Sequence, residues 1–150
     1  MSWVTLTEAN VIAKLSGPEL AAMKTAALGT AQANPLTEVI SQVVLEIRGY
    51  VAACARNKLG DGATIPDELL GAAVSRCRFE LATRLPVSSL LTEDRRTANA
   101  NALTLLRDVA GCRFLVVQPA NRSVDQAAGG TASQVIRHGS HLHQHEMDGL

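Results

Sequence analysis

An all-α fold is what the sequence predicts: a small helical bundle built on one long central helix, with a short β-like segment and an extended C-terminal arm. The apolar residues are mostly Ala, Leu and Val, and the 150 residues hold one Trp, one Tyr and two Phe, a mixture that suits helices better than a β-sandwich. Apolar side chains recur at three- and four-residue spacing from Leu36 to Val51, the mark of a one-sided helix. At Pro119 the composition changes sharply to Ala, Gly, Ser, Gln and His, which cannot bury enough apolar surface to fold alone.

The first helix is announced by Thr5-Leu6-Thr7-Glu8, in which the Thr5 hydroxyl and the Glu8 carboxylate can satisfy each other's backbone donors as a capping box. Trp3 and Val4 ahead of it could form a hydrophobic staple, and Val11, Ile12 and Leu15 supply an apolar face. Ser16-Gly17-Pro18 stops that helix and opens a second, from Pro18 to about Leu28, with Gly29 suited to a left-handed C-terminal turn. Residues 30–34 read as a polar linker.

Asn34-Pro35 caps the third helix, whose stripe of Leu36, Val39, Ile40, Val43, Val44, Ile47, Val51, Cys54 and Lys58 predicts about 23 residues ending at Gly60-Asp61-Gly62. Gly49 inside it costs about 1 kcal/mol relative to Ala, which a close helix crossing would explain. Pro66-Asp67-Glu68 begins a fourth helix that ends before Pro86, with Leu70, Val74, Cys77, Leu81 and Leu85 inward and Phe79 on the outer side. Thr92-Glu93-Asp94 caps a fifth, with Ala98, Ala102, Leu105, Leu106 and Val109 inward and Gly111 near its end. Phe114-Leu115-Val116-Val117 then reads as a short β-like run closed by Pro119. The chain therefore divides into a helical domain over residues 1–118 and an arm over 119–150, which could reach on the order of 100 Å if extended.

Composition excludes several classes of function. Fourteen basic residues balance 14 acidic ones, so the formal charge is zero and no basic excess exists to displace counterions from phosphate. No stretch reaches the roughly 18 apolar residues that span a bilayer, so no membrane partner is expected. Three cysteines, Cys54, Cys77 and Cys112, are odd in number, widely spaced and set in apolar helical contexts, and read as reduced core residues of a cytoplasmic protein.

All four histidines fall in the arm, at His138, His141, His143 and His145, followed by Glu146 and Asp148. A nickel or zinc site there is outweighed by the reading as a polar tail, because Gly- and Ser-flanked ligands lack orienting partners. The helical domain has no histidine to serve as a base, and Lys58-Leu59-Gly60-Asp61-Gly62 lacks the spacing of a phosphate-binding loop, so neither enzyme nor cofactor is expected. Arg76, Arg78, Arg84, Arg95 and Arg96 form the densest basic grouping, but Glu80, Glu93 and Asp94 lie among them. Interleaved signs suit a solvated face or intersubunit ion pairs better than DNA contact. A small helical DNA-binding regulatory protein is the alternative reading.

Several phrases carry a resemblance: Val11-Ile12-Ala13-Lys14-Leu15 with Pro18-Glu19-Leu20, Ile47-Arg48-Gly49-Tyr50-Val51, Ile65-Pro66-Asp67-Glu68-Leu69-Leu70, Cys77-Arg78-Phe79-Glu80-Leu81-Ala82, and Ala102-Leu103-Thr104-Leu105-Leu106-Arg107-Asp108-Val109-Ala110-Gly111. In this order, over about residues 5–118, they resemble the head-to-tail connector proteins of tailed phages, in particular the Mu-like virion protein group. The resemblance implies a virion protein at the head-tail interface, assembled in the host cytoplasm. It would form a ring, commonly of twelve copies, between the portal and the stopper or tail, and let DNA pass through without gripping it. On that reading Tyr50, Phe79, Arg76, Arg78 and Glu80 are candidate subunit contacts. Pro119, Val124, Val135, Ile136 and Leu142 are candidate points at which the arm meets the portal or a neighbouring copy.

Overall fold

The computed structural model describes residues 2–29, 35–85 and 88–120. Its elements in chain order are β1 (Trp3–Thr5), α1 (Glu8–Ile12), α2 (Gly17–Gly29), α3 (Pro35–Ala53), β2 (Thr64–Pro66), a 3-10 turn (Asp67–Leu69), α4 (Leu70–Arg84), a second 3-10 turn (Ser88–Leu90) and α5 (Glu93–Ala110). The body is α3, α4 and α5 packed against one another, with short α1 touching both α3 and α4. α3 has 19 residues, α5 has 18 and α4 has 15, so three comparable helices replace the single long central one expected.

The N-terminal segment departs from its prediction. Thr5 is the last residue of β1, and the capping box belongs to Thr7 and Asn10, whose side chains and backbone amides bond reciprocally at 3.3 and 2.9 Å. Glu8 is drawn elsewhere, accepting a hydrogen bond from the Thr37 hydroxyl at 2.6 Å. With Thr7 as cap, the staple positions pass from Trp3 and Val4 to Leu6 and Val11, both buried in the core. β1 pairs antiparallel with β2 in the register Trp3↔Pro66, Val4↔Ile65, Thr5↔Thr64. Pro66 is tolerated because this two-stranded ladder has open edges.

In α3 the apolar stripe is buried as the periodicity requires, through Leu36, Val39, Val43, Val44, Ile47 and Val51. The helix stops at Ala53 instead of running to Lys58, because the next backbone groups bond elsewhere. The Asn57 amide donates to the Cys54 carbonyl at 2.9 Å, and the Lys58 amide donates to the Gln118 side chain at 2.9 Å. No close crossing explains Gly49: a Cβ built there meets nothing within 4 Å.

α4 buries Ala73, Val74, Cys77 and Leu81, flanked by Leu69 and Leu85, while Leu70 is only half-buried. α5 buries Asn99, Ala102, Leu106 and Val109; Ala98 is exposed, and polar Asn99 takes its expected place. The expected strand at Phe114–Val117 does not form. The Val117 amide goes to the Glu68 carboxylate at 3.1 Å and its carbonyl accepts from the Trp3 indole at 2.9 Å, leaving no ladder for a neighbouring strand.

The cysteines overturn the reduced reading. Cys54 and Cys112 form a disulfide that links the end of α3 to the end of α5 across 58 residues, and Cys77 alone is free. Their sequence distance concealed the pairing, since only the antiparallel return of the bundle brings the two helix ends together. Cys112 is also the one described non-glycine residue with positive φ, at 58°, while Gly111 next to it has φ −77°. The Arg113 amide reaches the Asp108 carbonyl at 2.8 Å and the Cys112 amide reaches Val109 at 3.1 Å, the two bonds of a Schellman turn with a cysteine where glycine is usual.

Candidate functional site

Some of the phrases that carry the connector resemblance meet where α3, the glycine loop and β2 come together. Arg48, on the flank of α3, donates Nη1 to the Thr64 carbonyl at 2.7 Å and Nη2 to the Gly60 carbonyl at 3.1 Å. It thereby fixes the glycine loop and β2 to the helix, and burial lowers its pKa against the opposing pull of Asp61. Ile65 and Pro66 are fully buried beneath this loop. Gly60 is required by the approach of Trp3, because a Cβ at residue 60 would lie 2.6 Å from the indole ring. At the end of α5, Leu106 and Val109 are fully buried, and Asp108 closes the Schellman turn and pairs with Arg113 at 2.7 Å.

Two ion-pair networks occupy the body. Arg76 lies among Glu46, at 3.0 Å, Glu80, at 2.9 Å, and the Asn99 carboxamide, at 2.6 Å, with its side chain 11% exposed. It joins α3, α4 and α5 at one point. Glu19, 3% exposed, meets Arg95 at 2.6 Å and Arg78 at 3.3 Å and accepts from the Ser16 amide at 2.6 Å. Burial alone would raise the Glu19 pKa; Arg95, the Ser16 bonds and Arg78 overcome it and hold the carboxyl at about 2. Arg84 completes the set, reaching Glu38 at 3.4 Å and Gln42 at 2.6 Å.

The basic grouping seen in the sequence is therefore engaged inside the chain. Arg76, Arg78, Arg84 and Arg95 are all in intrachain ion pairs, where a solvated face or intersubunit pairing was expected, and Arg96 is exposed. Glu80, a candidate subunit contact, is the i+4 partner of Arg76. Tyr50 and Phe79 are half-buried; Tyr50 packs against the core cluster and Phe79 is outside it. Pro119 is half-buried, and the arm positions Val124, Val135, Ile136 and Leu142 lie outside the described residues.

Sequence reasoning missed the most exposed apolar side chains, Leu45 at 71%, Leu115 at 52%, Ile12 at 38% and Phe114 at 36%. Leu45 borders a groove of about 310 Å³ lined also by Leu6, Ile40, Val44 and Ala63. It also missed Glu19, although Ser16-x-x-Glu19 is itself a capping-box pattern, and the Glu19 carboxylate does reach back to the Ser16 amide. Cys77 is fully buried, and burial pushes its thiol up to about 12, which makes it a packing residue and not a nucleophile.

Among the described residues no three His, Cys, Asp or Glu side chains cluster as a metal site, and the four histidines lie outside them. Among those same residues no helix is long and apolar enough to cross a membrane. Comparison with protein families, curated proteins and solved structures returns no match of any of the three kinds.

Proposed function

We propose that this chain is a virion structural adaptor, forming a ring between the portal and the stopper or tail of a tailed phage and allowing the genome to pass, without catalysis. One observation carries the reading. The phrases on which the resemblance rests supply the architecture: Ile47 is buried in the core, Arg48 anchors α3 to the glycine loop, Ile65-Pro66 are buried in β2, and Leu106 to Gly111 close α5. A likeness carried by such positions speaks for a shared fold more strongly than one carried by surface residues.

The surface is consistent with assembly. Leu45, Phe114 and Leu115 stand exposed, and half-buried Phe79 lies outside the core cluster, so apolar area is available to neighbouring copies. The net charge of zero suits a conduit that touches DNA without retaining it. Residues 119–150 act as the arm that reaches the portal or an adjacent copy.

Cutting the chain after Pro119 tests the arm while keeping the Val117 and Gln118 contacts. The shortened chain is expected to fold and to lose co-sedimentation with portal rings; full co-sedimentation would refute the role of the arm.

A further inference from the structure

We propose that the Cys54–Cys112 bond is a redox-sensitive latch: closed, it seats residues 112–118 on the bundle, and a dithiol reductant releases that strap while the helical body stays folded. The inference does not rest on the connector reading.

The strap has few other attachments. Its first three residues stay with the end of α5, through the Cys112 amide to Val109 at 3.1 Å, the Arg113 and Phe114 amides to the Asp108 carbonyl and the Arg113–Asp108 pair at 2.7 Å. Beyond these and the disulfide it is held by Arg56 to the Cys112 carbonyl at 3.0 Å, Lys58 to Gln118 at 2.9 Å, Trp3 to the Val117 carbonyl at 2.9 Å and the Val117 amide to Glu68 at 3.1 Å. Val116 is its one fully embedded apolar side chain, while Phe114 and Leu115 are exposed. The body is built differently: Leu36, Val39, Ile47, Leu69 and Leu106 are fully buried and none lies in the strap. Loss of the strap removes Val116 from the core cluster and leaves the buried side chains of the three helices in place.

The conformation at Cys112 adds a reason for release. Its φ of 58° lies in the left-handed region that L side chains rarely adopt, and the bond to Cys54, with the two Cα atoms 5.3 Å apart, ties that residue to the end of α3. Once the bond opens, Cys112 is free to leave this region and redirect everything after it.

Cys54 is fully buried and Cys112 only partly so, which sets the direction of attack. One thiolate of a dithiol attacks the Cys112 sulfur and expels the Cys54 thiolate, which takes up a proton. The second thiolate then displaces Cys112, so the dithiol becomes a cyclic disulfide as two electrons and two protons pass to the cysteines. Cys77 does not compete, being buried in the core with a thiol that stays protonated.

The strap has a built-in reporter, because Trp3 is the single Trp of the chain and its indole bonds to Val117. It also has a protease site. The amides of Arg113 and Phe114 are both tied to the Asp108 carbonyl, at 2.8 and 3.1 Å, and the Arg113 side chain is 73% exposed.

The test compares air-oxidised full-length protein with the same protein in dithiothreitol, and with the Cys54→Ser, Cys112→Ser double variant. Tryptic cleavage after Arg113, Trp3 emission and far-ultraviolet circular dichroism are read together. Reduction is expected to speed cleavage at least tenfold and shift Trp3 emission to the red with helical dichroism unchanged, and the double variant is expected to match the reduced protein. Unchanged cleavage and emission, loss of the helical signal along with them, or alkylation of all three cysteines in the denatured oxidised chain would each overturn the latch.

Discussion

The Glu19 carboxylate meets the Arg95 guanidinium at 2.6 Å, and this contact fastens the start of α2 to the start of α5. Arg78 reaches the same carboxylate from α4, so one buried negative charge holds three helices. Because the pair is shielded from water, it matters more than the exposed ion pairs of an ordinary surface.

The pH dependence of stability follows from this pair. The Glu19 carboxyl falls from 4.5 to about 2 on folding, a difference worth about 3 kcal/mol. The folded state favours the charged form, so the contribution is complete above pH 4.5 and is lost as the pH falls toward 2. Glu19→Gln is expected to lower stability by a similar amount at pH 7 and to lose less stability than the unaltered protein as the pH falls through that window. Urea midpoints of both proteins between pH 7 and pH 2 check this; parallel curves would show that Glu19 does not carry the difference.

Arg76 is expected to tolerate no replacement, including lysine. Its Nε and Nη2 both reach Glu46, while Nη1 goes to Asn99 and Nη2 also to Glu80, a fork that one ammonium cannot reproduce. Arg76→Leu strands two carboxylates and a carboxamide and is expected to cost about 3–5 kcal/mol. Arg76→Lys should recover only part of that loss, as read from denaturant melts.

Gly60→Ala is expected to dislodge Trp3. The new methyl would sit 2.6 Å from the ring, so the half-buried indole must swing out and surrender its bond to Val117. A loss of about 1–3 kcal/mol and a red shift of Trp3 emission are the expected outcomes. Native emission in the variant would show that the loop gives way instead of the ring.

If copies of the chain associate as the connector proposal requires, Phe79→Ala separates that association from folding. Phe79 is outside the core cluster, so the substitution should leave the monomer's melting temperature nearly unchanged and weaken association between copies. A large drop in melting temperature would place Phe79 among the groups that hold the monomer together.

Much of this fold was legible in the sequence, and the exceptions have physical causes. Periodicity located the three long helices because burial of Val39, Val43, Ile47, Leu81 and Leu106 repeats at helical spacing. Helix ends were less legible: Thr7 with Asn10 outcompeted Thr5 with Glu8, since Thr5 was needed to pair with Thr64. Gly111 stands near the end of α5 as expected, but the left-handed residue is its neighbour Cys112, which the Schellman bonds and the disulfide hold there. Long-range pairings were hidden altogether. Nothing local marks Cys54 as the partner of Cys112, and charges that alternate along α4 resemble a solvated face until α2 and α3 supply Glu19 and Glu46.

The mass of the particles formed by this chain, alone and with tailed-phage portal rings, tests the connector proposal most directly. A defined closed ring bound to the portal, of one stoichiometry and indifferent to short duplex DNA, is the predicted result. A chain that ignores the portal and binds duplex DNA with a steep salt dependence would contradict the account and favour a small DNA-binding regulator.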